Sequence, residues 1–213
     1  MSSPAAGGRS SYHHGDLRNE LVAAARHLIE RDGIDALNLR ALAQQVGVSQ
    51  TALYHHFSDK QGLLCAIGEQ AVREFGERLR DALNDNSQPL QQRVEVFIRT
   101  YLRYAIAHPE LYELMLGRTT WRNGMTDSFR RAALDGFRAL VELLGELQQE
   151  GLLPGGLNPL RLAQVLWGTL HGLSRMVNDG LVFTPDDVED IGRYAAALVG
   201  SVRELDSRQS GKA

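Results

Sequence analysis

Between residues 40 and 60 stand Arg40, Ser49, Gln50, Thr51, Tyr54, His55 and Lys60, side chains whose types and spacing suit contact with a nucleic acid. Gln50, Thr51 and His55 carry donors and acceptors that can pair with base edges in a major groove. The Ser49 and Tyr54 hydroxyls and the Lys60 ammonium suit phosphate oxygens, and Arg40 adds a guanidinium nearby. Spacings of one, three and four place Gln50, Thr51, Tyr54 and His55 on one side of a short helix. No Asp or Glu occurs from Leu37 to Ser58, although 26 acids outnumber 23 bases in the whole chain, so a polyanion would meet no local repulsion. The expected partner is double-stranded DNA.

Such a helix must be held from behind. Leu39, Leu42, Val46, Val48, Leu53 and Phe57 can point toward one small core, while Ala43, Gly47 and Leu53 stand at helix-turn-helix offsets. The small residue lets two helices cross, the glycine can take positive φ after the first helix, and the leucine anchors the second. Asn38 and Ser49 are the expected N-caps of the two helices, and Ser58-Asp59-Lys60-Gln61 reads as a capping box opening a third. Upstream, Asp16 is expected to cap a helix with Leu17, Leu21, Ala25, Leu28 and Ile29 on one face, stopped by Gly33.

The longer string carries a resemblance. Tyr12-His13-His14-Gly15-Asp16-Leu17-Arg18, Gly33-Ile34 and LRALAQQVGVSQTALYHHFSDKQGLL resemble the N-terminal domain of the tetracycline-repressor (TetR) family of bacterial transcriptional regulators. The portion Leu53-Tyr54-x-His56-Phe57-x-x-Lys60-x-x-Leu63 is specific to that family. The resemblance implies that Gln50, Thr51, Tyr54 and His55 face an operator, that Lys60 holds a phosphate, and that Phe57 and His56 are structural.

Composition sets the bounds. The 213 residues are 43% apolar, enough for one small domain and one of ordinary size. The expected division is a disordered arm at 1–10, a DNA-binding domain at 11–65, a helical effector-binding and dimerisation domain at 66–206, and a disordered tail at 207–213. No apolar run approaches the roughly 18 residues of a membrane span, and the start lacks a secretory h-region, so a cytoplasmic protein with no membrane partner is expected. Six bases (Arg9, Arg18, Arg26, Arg31, Arg40, Lys60) balance six acids (Asp16, Glu20, Glu30, Asp32, Asp35, Asp59) in residues 1 to 65. DNA affinity must therefore come from local charge placement and from doubling the surface in a dimer. Cys65 stands alone and is expected on an apolar helix face. The neighbours His13-His14 and His55-His56 diverge by about 100° on a helix, so no metal site is expected, and no cofactor motif appears.

The rest of the chain reads as helical, making an all-α protein: an N-terminal three-helix DNA-binding domain followed by a helical bundle. A long helix to about Leu83 is followed by a break at Asn84-Asp85-Asn86-Ser87. Further helices are expected from Pro89 to His108, Glu110 to Leu116, Asp127 to Glu150, Asn158 to Asp179, and Thr184 to about Leu205. The last two carry apolar stripes, Leu166, Leu170, Leu173, Val177 and Leu181 on one and Val188, Ile191, Ala195, Leu198, Val202 and Leu205 on the other. These stripes either face the chain's own core or pair with a second copy. The family resemblance implies a twofold dimer through them, with Leu166, Leu170, Leu173, Val177, Ile191, Ala195, Leu198 and Val202 at the interface. Two recognition helices about 34 to 36 Å apart would then read a palindromic operator.

Trp167-Gly168-Thr169-Leu170-His171-Gly172 resembles the Trp-His-Gly (WHG) subgroup of the family, as does His108-Pro109-Glu110-Leu111-Tyr112-x-Leu114-Met115. Trp167 and His171, four apart, share a face. With Phe97, Tyr101, Tyr104, Met115, Trp121, Phe137 and Leu140 they either form core or line a pocket for a small hydrophobic or aromatic effector. Other classes are a helical-bundle enzyme using His171 as a base, or an interaction module with a degenerate helix-turn-helix. The chain has no Glu-x-x-His pair, glycine-rich phosphate loop or nucleophile elbow to favour catalysis. The expectation is a ligand-responsive repressor and no enzyme.

Overall fold

The computed structural model describes residues 14–85, 87–117, 124–151, 153–181, 187–188, 190–194 and 197. Among these residues all regular structure is helical. Helix α1 spans His14–Asp32 and leads through a single 3-10 turn, Ile34–Ala36, into α2 (Leu39–Val46), α3 (Gln50–His56) and α4 (Lys60–Asn84). Then come α5 (Leu90–Ala107), α6 (Pro109–Leu116), α7 (Asp127–Gln149) and α8 (Pro159–Asn178). Helical backbone returns at 188 and 190–194. The chain divides into two compact units, Met1–Ile67 and Gly68–Ala213, and the division falls inside α4.

In the first unit α1 packs on α2 and α3, which pack on each other. Leu17, Leu21, Ala25 and Ile29 of α1 are buried together with Leu42, Ala43, Leu53, Phe57, Leu63 and Ile67. Helices of eight and seven residues, as α2 and α3 are, have no independent stability in water, so their ends and this core must hold them. The ends are closed as the residue types require. Asn38 Oδ1 accepts from the backbone N–H of Arg40 (2.9 Å) and of Ala41 (3.2 Å), and Ser49 Oγ accepts from Ala52 N–H at 3.1 Å. Each such cap contributes about 1 kcal/mol. Gly47 has φ 80°, in the left-handed region, which lets Val48 N–H return to the Ala43 carbonyl at 2.9 Å. Gly33, at φ 87°, breaks the chain after α1.

Two expected boundaries are displaced. Asp16 lies inside α1, whose helical backbone is already present at His14, so it is not the cap. At α4 the cap is Asp59 and not Ser58: Asp59 Oδ1 accepts from Gly62 N–H at 2.7 Å, and its carbonyl from Leu63 N–H at 3.4 Å. A carboxylate one position later does the same job more strongly, because it also faces the positive end of the helix. Cys65 is buried, as its apolar neighbours predict.

In the second unit α8 packs against both α5 and α7, and α6 packs on α5. Asn158 caps α8 through Leu160 N–H (3.0 Å) and Arg161 N–H (3.3 Å), and Gly151 (φ 69°) and Gly180 (φ 67°) follow the ends of α7 and α8. Phe129 of α7 is fully buried, and its ring lies so near α4 that a Cβ built on Gly68 would stand 2.6 Å from Phe129 Cζ. Leu144, Leu147, Leu153 and Ala163 form a second cluster against which Phe137 and Leu140 pack. The expected arm at 1–10, the tail at 207–213 and most of the last helix, including Thr184 and Leu205, lie outside the described residues.

Candidate nucleic-acid interface and aromatic site

Helix α3 buries one side and presents the other. Leu53 is fully buried and Phe57 closely covered, with the Arg18 guanidinium 5.2 Å from the Phe57 ring centroid. This cation–π contact ties α1 to the end of the reading helix. Gln50, Thr51, Tyr54 and His55 are all exposed, Tyr54 at 52%. Among the described residues their side chains, and those of Arg40 and Lys60, have no partner. Donors and acceptors on this face are therefore uncommitted. Lys60 sits at the first turn of α4, beside the Asp59 cap, and His56 is half-buried on the inner side.

The second concentration of polar and aromatic groups belongs to α5, α6, α7 and α8. Tyr101 Oη lies 2.9 Å from Tyr112 Oη, which lies 2.8 Å from His171 Nδ1. The His171 ring stacks between Tyr112 (centroids 5.6 Å, 30°) and Trp167 (5.7 Å, 19°), and Phe137 meets Trp167 edge-on at 6.0 Å. Burial pushes the Tyr101 hydroxyl well above its ordinary pKa, the Tyr112 hydroxyl adding to the effect and Trp167 opposing it. Burial also raises Tyr112, against hydrogen bonding to Tyr101 and Ser174 and the charge of Arg175. His171 is lowered, first by burial and then by Arg175, with Glu113 opposing. At neutral pH both phenols are protonated and the imidazole is uncharged.

The sequence-expected pocket residues divide accordingly. Phe97, Tyr101, Tyr104 and Met115 are buried, with Tyr104 against Phe75 (4.6 Å) and its hydroxyl 3.8 Å from Met115 Sδ. Leu140 and Phe137 pack on the Leu144 cluster, and Phe137 also meets Trp167, which stacks on His171. Trp121 lies outside the described residues. Tyr112, Phe75 and Ser174, and the ion pair of Arg175 with Glu113, were not among the expected site residues. Tyr112 stands within the His108 to Met115 stretch, but nothing local marks it as the partner of a histidine 59 residues away.

The family descriptions decide what these two units belong to. Residues 21–67 match the model described as bacterial regulatory proteins, tetR family, and residues 94–200, half of the chain, match the one described as tetracyclin repressor-like, C-terminal domain. The chain belongs to the TetR family. Its relatives include the HTH-type transcriptional repressor AcnR of Corynebacterium diphtheriae, 28% identical over 191 residues, covering 87% of this chain and 91% of that protein. The nucleoid occlusion factor SlmA of Vibrio vulnificus is 26% identical over 197 residues, 87% of this chain and 95% of the relative. A solved structure of a protein of unknown function from Rhodococcus sp. RHA1 is 30% identical with a TM-score of 0.79, covering 91% of this chain and 98% of the other.

As a TetR-family member the chain is a DNA-binding transcriptional regulator, and the family is one of regulatory proteins rather than enzymes. The C-terminal match is described as tetracyclin repressor-like, and that description does not name the Trp-His-Gly subgroup. The residues of the expected interface stripe differ in exposure. Leu170 (1% exposed) and Val177 (8%) are covered by their own subunit and offer no surface to a second copy. Leu166, Leu173 and Ile191 are half-buried, and Ala195, Leu198 and Val202 lie outside the described residues. The outward side of α8 carries Val165, Gly168 and Thr169. No helix among the described residues is long and apolar enough to cross a membrane.

Proposed function

We propose that this TetR-family chain is a homodimeric, cytoplasmic repressor that leaves a palindromic operator when its second unit binds a small hydrophobic or aromatic effector. The observation that carries this reading is the outward face of α3: uncommitted polar side chains, held by caps and a buried leucine, in a stretch without a single acid. Gln50, Thr51 and His55 read bases. Ser49, Tyr54, Lys60 and Arg40 hold the backbone, so their contribution falls steeply with salt. The repressor relative AcnR supports the direction of the output. The second copy pairs through the outward side of α8, around Val165 and Thr169 with Leu166 and Leu173 at its margins, rather than through Leu170 and Val177. Effector binding is read into the aromatic cluster of Phe137, Trp167 and His171.

Release by a ligand requires that it bind one spacing of the two heads better than the other; a tenfold weakening of DNA binding needs about 1.4 kcal/mol of coupling. The decisive experiment is selection of duplexes from a random pool at low ionic strength, followed by titration of the selected site. A palindrome bound by two copies with a steep salt dependence is the expected result. Recovery of no preferred sequence by folded protein would overturn the regulator mechanism, and an effector binding equally to free and operator-bound protein would exclude the switch.

A further inference from the structure

Resting on the reading of the second unit as the effector-binding one, we propose that His171 is a specificity residue. It donates Nε2–H to an uncharged acceptor, a carbonyl or ring nitrogen, on a planar molecule seated against Trp167. The Tyr101, Tyr112 and His171 chain determines which nitrogen carries the proton. Tyr101 is 2% exposed, and the Tyr112 oxygen is the acceptor within reach of its hydroxyl among the described residues. If Nδ1–H donated to Tyr112, the Tyr112 hydroxyl would have to donate either to Tyr101, leaving the Tyr101 hydrogen without an acceptor in a dry interior, or to Ser174, whose own hydroxyl is aligned on the Leu170 carbonyl at 2.9 Å. The opposite order satisfies every group along the two short contacts of 2.9 and 2.8 Å without calling on Ser174: Tyr101 donates to Tyr112, Tyr112 donates to Nδ1, and the imidazole proton resides on Nε2. Trp167, a donor only, works on Tyr101 in the same sense.

Nε2 has no partner among the described residues, and none of their unpartnered side-chain nitrogens or oxygens is sealed from solvent. An oriented, accessible N–H thus stands beside an indole that is 38% exposed and stacked nearly parallel to the imidazole. A flat ring can extend that stack while its acceptor meets the N–H. The nearby charges do not favour an anion. Arg175 is shared between Glu113 and Asp179 (3.5 Å to the latter), one positive charge against two negative, and His171 itself is neutral. A carboxylate would find no uncommitted cation here, whereas an uncharged acceptor keeps the hydrogen bond without the repulsion.

The first test needs neither ligand nor DNA. Long-range proton–nitrogen spectra of histidine-labelled, full-length protein at pH 7.5, assigned with a His171→Phe variant, are expected to show His171 with its proton on Nε2. Tyr112→Phe should convert the signal to a mixture of tautomers. A proton on Nδ1, or a cationic ring, overturns the proposal. The second test titrates three bicyclic probes by calorimetry: coumarin (uncharged, carbonyl), naphthalene (no acceptor) and 2-naphthoate (anionic). Coumarin is expected to bind at least tenfold more tightly than either of the others, and the advantage over naphthalene should vanish in His171→Phe, which retains stacking. Equal binding of coumarin and naphthalene, preference for naphthoate, or no binding of any probe overturns the ligand class. Operator binding, measured separately by gel shift, stands or falls with the regulator reading and not with this one.

Discussion

Helices α3 and α8 each carry a candidate functional face, but they prepare it in opposite ways. Helix α3 has seven residues, is closed by Ser49, and leaves Gln50, Thr51, Tyr54 and His55 with no partner among the described residues. Helix α8 has 20 residues, and its His171 is already bonded to Tyr112 and stacked on two rings. A surface that must meet a hydrated polyanion keeps its donors uncommitted, because water and counterions are exchanged only on contact. A half-buried face cannot do so, since an unsatisfied polar group there costs about 1–3 kcal/mol. Its groups satisfy one another first, and a ligand must fit the donors and acceptors left over.

The largest expected effect tests whether α3 depends on what lies behind it. Leu53→Ala should cost about 2–5 kcal/mol of stability in the first unit, since the fully buried side chain leaves a cavity. Urea unfolding followed by near-ultraviolet tyrosine signals and by operator binding would check this; unchanged stability would mean that the helix is held by its caps alone. Gly68→Ala puts the same question to the second unit. Alanine favours a helix by up to about 1 kcal/mol. The 2.6 Å approach to Phe129 Cζ nevertheless predicts a net loss of about 1–3 kcal/mol, and a gain in melting temperature would show that the ring moves aside.

On the DNA side, Gln50→Ala should change preference at one base-pair position by about 1–3 kcal/mol. Lys60→Ala should weaken all sequences alike and lower the salt slope by about one. Uniform loss from Gln50→Ala, seen in a binding-site selection, would remove it from the readers. The smallest effect belongs to α8. His171 has its pKa lowered in the folded state from 6.5, so the unfolded chain binds more protons as pH falls below that value. Stability contributed by the neutral ring is full above about pH 6.5 and declines on acidification toward the folded pKa. Denaturation at pH 7.5 and 5.5 should show a steeper acid loss in the natural chain than in His171→Phe; parallel curves would place the ring in a water-like setting.

The two regions were also unequally legible. The local devices that shape α3 lie within about twenty residues: Asn38 and Ser49 cap, Gly47 turns, Leu53 anchors, and each does so by its own chemistry, while α1 packs from behind. Errors there were of one or two positions, as at Asp59, because several adjacent polar residues can close a helix equally well. The α8 site draws on Tyr101, Tyr112 and Phe137, which only the packing of four helices brings to His171. Apolar spacing showed that these residues face inward, but not which neighbour each would find. It could not tell that Leu170 and Val177 turn toward their own core, because a buried stripe and a subunit interface follow the same three-and-four rule.

The division of labour within α3 has an evolutionary corollary. Because Leu53, Phe57 and the Ser49 cap sustain the element, the four outward positions are nearly exempt from the requirements of folding. Exchanges there should leave thermal resistance within about 0.5 kcal/mol of the parent while altering which promoters are addressed. A duplicated copy of this gene could thus acquire new targets by a few surface changes, long before the remainder of the protein diverged.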